Sequence, residues 1–209
     1  MKKAEIIPVI HMINIEQVFA NVETCVNNGI KKVFLINHVV SAQDVLSAAK
    51  DVKSEYPELW VGVNLLGVPT SNAICLPGKV VDGLWCDGTL TLEDYTITRR
   101  FEGMLFGGLA FKYQRQPSDL EEACKNATLT TDVATTSGPG TGKAATITKI
   151  ETIREYLGSH PMAIASGVSA DNVEKYMYLA DYLLVASSIT DKDEMIIEEK
   201  LVELINKVK

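Results

Sequence analysis

The chain has 209 residues, of which 46% are hydrophobic and 22% are charged, values typical of one soluble globular domain. Its formal net charge is −7 and no dense basic stripe is present, which argues against a nucleic-acid-binding function. No run of about 18 apolar residues occurs, so we expect no membrane span.

The N-terminal segment MKKAEIIPVIHMIN begins with two lysines, as signal peptides do. Its apolar stretch is interrupted by Glu5, Pro8 and His11, and no small-residue cleavage site follows, so we predict a first strand in a cytoplasmic protein. The four cysteines lie far apart without a CxxC pair, a spacing that fits neither a zinc site nor a disulfide framework. We expect free, buried thiols.

Short β-branched apolar segments alternate with helical patterns along the whole chain. The predicted strands comprise residues 6–13, 32–36, 60–66, 83–86, 105–111, 133–136, 162–165 and 182–185. Asn14 and Ser41 are the predicted caps of the first two helices, which end at Gly29 and near Tyr56. The remaining predicted helices comprise residues 69–76, 91–101, 117–128, 146–157, 170–179 and 193–208.

Eight strand–helix units in one domain, residues 1–209, predict a single (β/α)8 TIM barrel. The main alternative is a doubly wound open sheet, which more often has five or six strands and a glycine-rich turn after the first. Here the first strand leads into His11-Met12-Ile13-Asn14, and the glycines cluster after the sixth and seventh strands. This distribution favours the barrel.

The last two strand-to-helix turns predict a phosphate site. Barrels of this class commonly bind phosphate with the loops after strands 7 and 8. In this chain those loops contain Ser166-Gly167-Val168 and Ser187-Ser188, which offer backbone N–H groups and hydroxyls. Each segment is alternatively just a tight turn, and we predict that together they bind a small phosphorylated molecule.

The glycine-rich loop SGPGTGKA after the sixth strand resembles a P-loop only superficially. A Walker motif needs four residues between its first glycine and the Gly-Lys pair, and then Ser or Thr. Here three residues separate Gly138 from Gly142, and Ala144 occupies the hydroxyl position. We predict a flexible third wall of the ligand site, contributed by Ser137, Gly138, Gly140, Thr141 and Gly142.

Four polar residues at strand ends are the candidate catalytic residues: His11, Asn64, Asp87 and Lys112. A carboxylate and a lysine on neighbouring strands suit proton transfer next to a carbonyl, and the lysine alternatively forms a Schiff base. Structural roles are the alternative: Asp87-Gly88 is compatible with a turn, and His11 is compatible with a buried histidine whose hydrogen bonds are made within the core. Asp132 precedes its strand and is predicted to be structural. No metal-ligand motif or cofactor fingerprint is present, so we expect neither.

The second half of the chain resembles the BtpA family of barrel proteins, named for a photosystem I biogenesis factor. The resemblance rests on TTDVATTSGPGTGK and on PMAIASGVSADNVEKYMYLADYLLVASSI, with PVIHMIN and VGVNLLG similar to the family's first and third strands. The chain is shorter than family members, and Ala186-Ser187 stands where they have glycine. The resemblance implies a barrel of the ribulose-phosphate-binding type.

Two functions follow as hypotheses. The first is an enzyme, a lyase or isomerase, acting on a small phosphorylated sugar or nucleotide-like metabolite. The second is a non-enzymatic BtpA-like barrel used for binding or assembly. The apolar residues of the last helix are expected to face the barrel, and homo-oligomer formation is a default expectation.

Overall fold

The computed structural model describes residues 3–209 and shows a closed barrel of eight parallel strands in the order β1 to β8. The strands are Glu5–Met12, Lys32–Asn37, Trp60–Asn64, Gly83–Thr89, Met104–Gly108, Val133–Ser137, Met162–Ala165 and Tyr182–Val185. Pairing of β1 with β8, from Glu5 with Tyr182 onward, closes the sheet. The predicted (β/α)8 barrel and all eight predicted strands are confirmed.

Seven α-helices, α1 to α7, lie in the described part of the chain. They span Ile15–Asn27, Ala42–Glu55, Thr70–Ala73, Tyr95–Thr98, Leu120–Thr130, Ile147–Leu157 and Glu198–Val208. Both predicted caps are confirmed: Asn14 accepts from the N–H of Gln17, and Ser41 forms a capping box with Asp44. None of these helices is long and apolar enough to span a membrane.

One predicted helix is wrong, and others are shorter than predicted. The segment predicted as 170–179 forms turns and a short 3-10 helix, Val173–Lys175. The Asn172 side chain bonds the N–H of Ser169 and the carbonyl of Gly167, and such local bonds compete with an α-helix. The segment predicted as 91–101 is shortened to a 3-10 turn, Leu92–Asp94, and the single turn of α4. The final helix begins at Glu198, five residues later than predicted.

Aspartates at the N-terminal end of the barrel tie neighbouring strands together. Asp82, Asp132 and Asp181 each precede an even-numbered strand and accept a backbone N–H from the strand before it, at 2.7–2.9 Å. Lys53 and Arg154 pair with the first and last of these carboxylates. The structural role predicted for Asp132 is therefore confirmed.

Aromatic side chains fill the barrel interior. Phe34 packs edge-on against Trp60, Trp85 and Phe106, with ring centroids 5.1–5.7 Å apart. Glycines make room for these rings, because a Cβ on Gly62 or Gly83 would collide with the Trp60 ring. A second apolar layer lies between the strands and the surrounding helices.

Replacement of Gly83 by alanine should destabilise the fold by about 1–3 kcal/mol through overpacking. The new methyl group would meet the Trp60 ring and lie 3.1 Å from the Met104 carbonyl oxygen. Urea unfolding of Gly83→Ala, Trp60→Leu and the double variant measures the free energies of unfolding. Because Leu leaves room where the Trp60 ring was, the double variant should lose less unfolding free energy than the two single variants lose together. Strictly additive losses would contradict a contact between Gly83 and Trp60.

Candidate functional site

A cavity of about 500 Å³ opens at the C-terminal end of the barrel. Trp85 and Phe111 of the aromatic interior line it, so the packed barrel core forms its floor. Polar groups from several strand ends converge on its walls; the predicted site residues among them are His11, Asp87, Lys112, Thr141, Gly142, Ser166, Gly167, Val168, Ser187 and Ser188. This is the end of the barrel at which enzymes of this fold place their active sites.

Asp87 lies in an irregular part of β4. The register between β4 and β5 shifts between Cys86 and Thr89, and a side chain on the paired Gly108 would collide with the Asp87 carbonyl. Such a bulge re-aims a side chain, here toward the cavity. Asn64, 2% exposed, lies behind Asp87 and donates from Nδ2 to its Oδ1 at 3.0 Å. Burial raises the Asp87 pKa, while this hydrogen bond and the charge of Lys112 oppose the increase.

Lys112 follows β5 and extends its amine into the cavity. Its Nζ donates to Ser166 Oγ at 2.7 Å and to Thr141 Oγ1 at 3.3 Å. It makes no ion pair with any carboxylate of residues 3–209. Burial lowers the pKa of Lys112, and the charge of Asp87 opposes the decrease. Lys112 therefore has two hydroxyl partners, and its lowered pKa favours the neutral amine.

Lys149 holds the backbone around Lys112 in place. From the first turn of α6, its Nζ donates to the carbonyls of Ala110 at 2.6 Å and Ser137 at 2.7 Å. Ser137 Oγ in turn accepts the N–H of Lys112 at 2.8 Å. Burial lowers the Lys149 pKa. Sequence reasoning missed this lysine, since nothing in the local pattern shows that its amine reaches two strand ends.

Unfavourable backbone conformations cluster around the cavity. In residues 3–209, four non-glycine residues have positive φ: Ala110, Tyr113, Ser166 and Glu194. Tyr113 and Ser166 line the cavity, Ala110 accepts from Lys149, and Glu194 pairs with His11. Such strain persists only where surrounding structure holds it, and it concentrates at functional sites.

The turns predicted to bind phosphate present unused donors. The backbone N–H groups of Gly167, Val168, Ser187 and Ser188 have no acceptor among residues 3–209, and all four residues line the cavity. Ser188 Oγ is buried without a partner in the described chain. No long helix begins after Gly167, so the donors belong to the turns and not to the expected helix N-terminus.

The glycine-rich loop contributes less than predicted. Thr141 and Gly142 line the cavity, whereas Ser137, Gly138 and Gly140 are buried away from it. A Cβ on Gly138 or Gly167 would collide with the Lys143–Ala144 backbone. These two glycines therefore allow the loops after β6 and β7 to pack together.

His11 lies on the opposite side of the cavity mouth, beside His38 and Glu194. Its Nδ1 is 3.1 Å from Glu194 Oε1, and the two histidine rings have centroids 4.5 Å apart. Sequence reasoning missed Glu194, which is 183 positions away in the chain and whose proximity depends on barrel closure. In residues 3–209, no group of three or more His, Cys, Asp or Glu residues is arranged to hold a metal ion.

No protein-family model matches the chain, and no curated protein matches it. Solved structures do match. A structure described as native KDPGal has a TM-score of 0.73 and 11% identity, covering 99% of this chain and 95% of that one. Phosphoribosyl anthranilate isomerase from Thermus thermophilus has a TM-score of 0.70 and 15% identity, covering 97% of each chain. KDPG aldolase from Legionella pneumophila, with pyruvate captured as a covalent carbinolamine, has a TM-score of 0.69 and 17% identity, covering 99% and 92%. At these identities the likeness shows the barrel fold.

The lowered pKa of Lys112 can be tested by acylation across a pH series, with site-specific rates read by mass spectrometry. Half-maximal reactivity should fall below the ordinary lysine pKa of about 10.4. Because the Asp87 carboxylate raises the Lys112 pKa, Asp87→Asn should move the midpoint to still lower pH. The exposed Asp51 on α2 offers a matched control, Asp51→Asn, which should leave the midpoint unchanged. An upward movement in Asp87→Asn would contradict the assignment.

Proposed function

We propose that the chain is an enzyme acting on a small phosphorylated carbonyl compound, with lyase or isomerase chemistry that begins at Lys112. The observation that carries the proposal is the Lys112 amine. It lies in a cavity without an ion pair in the described chain, its pKa is lowered by burial, and an acidic group is nearby. Desolvated lysines of this kind act as nucleophiles toward carbonyl carbons.

Asp87 is suited to assist this chemistry. The neutral Lys112 amine adds to the carbonyl carbon, and the resulting carbinolamine loses water when its hydroxyl is protonated. Burial raises the Asp87 pKa, which suits its carboxyl to supply that proton, while the nitrogen lone pair forms the C=N bond. The positively charged iminium then accepts electrons from an adjacent C–C or C–H bond, the step common to lyases and isomerases of this type.

The turns after β7 and β8 are suited to bind the phosphate of the substrate. Four backbone N–H groups without an acceptor in residues 3–209 and the unpartnered Ser188 hydroxyl belong to residues that line the same cavity as Lys112. Converging backbone N–H groups bind anions without requiring lysine or arginine at the site. Binding there would place the carbonyl end of a short molecule toward Asp87 and Lys112.

The similar solved structures include proteins with the general kind of chemistry that we propose. The Legionella neighbour captured pyruvate as a covalent carbinolamine, the adduct of an amine and a carbonyl. The Thermus neighbour is an isomerase whose name includes a phosphoribosyl group.

The covalent step can be tested with borohydride, which reduces an iminium to a stable secondary amine. Incubation with dihydroxyacetone phosphate and borohydride should add the reduced probe to Lys112, as located by peptide mass spectrometry. Lys112→Arg keeps the positive charge but should abolish the adduct, because a guanidinium does not form the iminium. Lys143→Arg, on an exposed lysine of the neighbouring loop, should leave the adduct intact. Absence of the adduct in the unmodified protein would favour the non-enzymatic BtpA-like barrel.

The phosphate site can be tested with Ser188→Ala. Loss of one hydrogen bond to the phosphate, about 1 kcal/mol, should raise the dissociation constant for dihydroxyacetone phosphate roughly fivefold. Because the hydroxyl is buried without a partner in residues 3–209, stability should not decrease. Calorimetry and thermal unfolding measure the two effects, with Ser118→Ala, on an exposed serine outside this cavity, as control. Unchanged affinity in Ser188→Ala would place the phosphate elsewhere.

A further inference from the structure

A carboxylate and an imidazole form a pair on the side of the cavity mouth opposite Lys112. Glu194 Oε1 lies 3.1 Å from His11 Nδ1, with the two side chains 33% and 16% exposed. His11 lines the cavity, and among residues 3–209 the polar contact of its ring is made through Nδ1, with Glu194. A neutral imidazole carries one proton, and a carboxylate at Nδ1 favours the tautomer with that proton on Nδ1. Nε2 is then left with a free lone pair.

The loop after β8 is built to hold Glu194 in this position. An antiparallel bridge between Thr190 and Ile196 closes the loop. Within it, Asp191 Oδ1 accepts the N–H groups of Asp193 at 2.8 Å and Met195 at 2.9 Å. Glu194 itself has φ of +57°, a left-handed conformation that is unfavourable for a residue with a Cβ. The loop tolerates this strain at the residue that reaches His11.

Two buried amides of α1 fasten the same loop to the first strand. The Glu194 carbonyl accepts from Gln17 Nε2 at 2.9 Å and from Asn21 Nδ2 at 2.8 Å. Asn21 Oδ1 accepts the N–H of Ile196 at 2.8 Å, and Gln17 Nε2 also contacts the His11 carbonyl at 3.2 Å. Gln17 therefore connects the backbones of His11 and Glu194 directly. This arrangement fixes both members of the pair, and not only the loop.

His38 lies beside the pair, and Lys112 acts on His38 from across the cavity. The His38 ring lies 4.5 Å from the His11 ring. Loss of solvation and the neighbouring His11 lower the His38 pKa, with Lys112 acting in the same direction and Glu194 against it. His38 is therefore biased toward its neutral form, which leaves the Glu194 carboxylate available to His11.

We propose that His11 is a second proton-transfer residue of the site and that Glu194 is the positioning residue that holds its Nδ1–H tautomer. The inference rests on the proposed function at Lys112. Nε2 takes a proton from the carbon next to the iminium carbon. The C–H electrons form a C=C bond, and the C=N electrons return to nitrogen. Reprotonation of this same carbon by the imidazole, with the nitrogen lone pair re-forming the C=N bond, completes the transfer, and water then hydrolyses the iminium to release the amine.

The tautomer can be measured without substrate by ¹⁵N–¹H NMR of the histidine rings in the full-length protein at about pH 8, above the ordinary histidine pKa. Wild type should show His11 protonated at Nδ1. Glu194→Met, which removes the acceptor at similar length, should shift the ring toward the Nε2–H form preferred in water. Glu198→Met removes a neighbouring carboxylate that bonds Asn28 and should leave the ring unchanged. A wild-type ring protonated at Nε2, or a Glu194→Met ring still protonated at Nδ1, would overturn the positioning role.

Proton transfer is measured by exchange of the carbon-bound hydrogens of dihydroxyacetone phosphate in D2O, alongside borohydride trapping. His11→Asn should still be trapped at Lys112 but should lose about 100-fold or more in exchange rate, the usual contribution of a general base. The role of His11 would be overturned if wild type and His11→Asn were both trapped and exchanged hydrogen at equal rates. It would also be overturned if wild type were trapped but exchanged no hydrogen. In both cases the proposed function at Lys112 would stand. A wild-type protein that is neither trapped nor exchanged would overturn the proposed function as well.

Discussion

Aromatic rings occupy the barrel interior, and their packing determines the shape of the cavity above them. Phe34, Trp60, Trp85, Phe106 and Phe111 make mostly edge-on contacts across the barrel axis. Eight strands leave too little interior space for these rings unless some inward positions carry no side chain. Gly62 and Gly83 supply that space. Because the rings fill the barrel interior beneath the cavity, the cavity lies at the C-terminal end of the barrel, where Trp85 and Phe111 form its floor.

The polar groups above this floor are held by supports from outside the cavity. Lys149 binds the ends of β5 and β6 and so fixes the backbone of Lys112. Asn64 holds Asp87 from behind, and the amides of Gln17 and Asn21 hold the Glu194 loop. Precise placement of reacting groups depends on such second contacts. The four strained residues of the described chain lie within this same framework.

Charge is distributed unevenly over the cavity. One side carries Lys112 and Asp87. Burial lowers the pKa of Lys112 and raises the pKa of Asp87, which favours the neutral form of each, while their mutual attraction opposes both shifts. The other side carries His11 with Glu194. Between them, the turns after β7 and β8 offer backbone N–H groups without a formal positive charge. Such donors can bind an anion without a basic side chain, which agrees with the proposed phosphate site in a chain with a net charge of −7.

The amino-acid sequence by itself determined the barrel, because buried parallel strands have a strong local pattern and eight of them recur with helices between. It also placed Asp87, Lys112, His11 and the two turns at one end, since residues that follow parallel strands share an edge. The helix predicted at residues 170–179 is absent, because hydrogen bonds of the Asn172 side chain stabilise turns there. Only the tertiary structure decided that Ser137, Gly138 and Gly140 pack inside the protein, that Lys149 supports Lys112, and that Glu194 meets His11. The contacts of Lys149 with Ala110 and of Glu194 with His11 join residues far apart in the chain, and only the folded barrel brings them together.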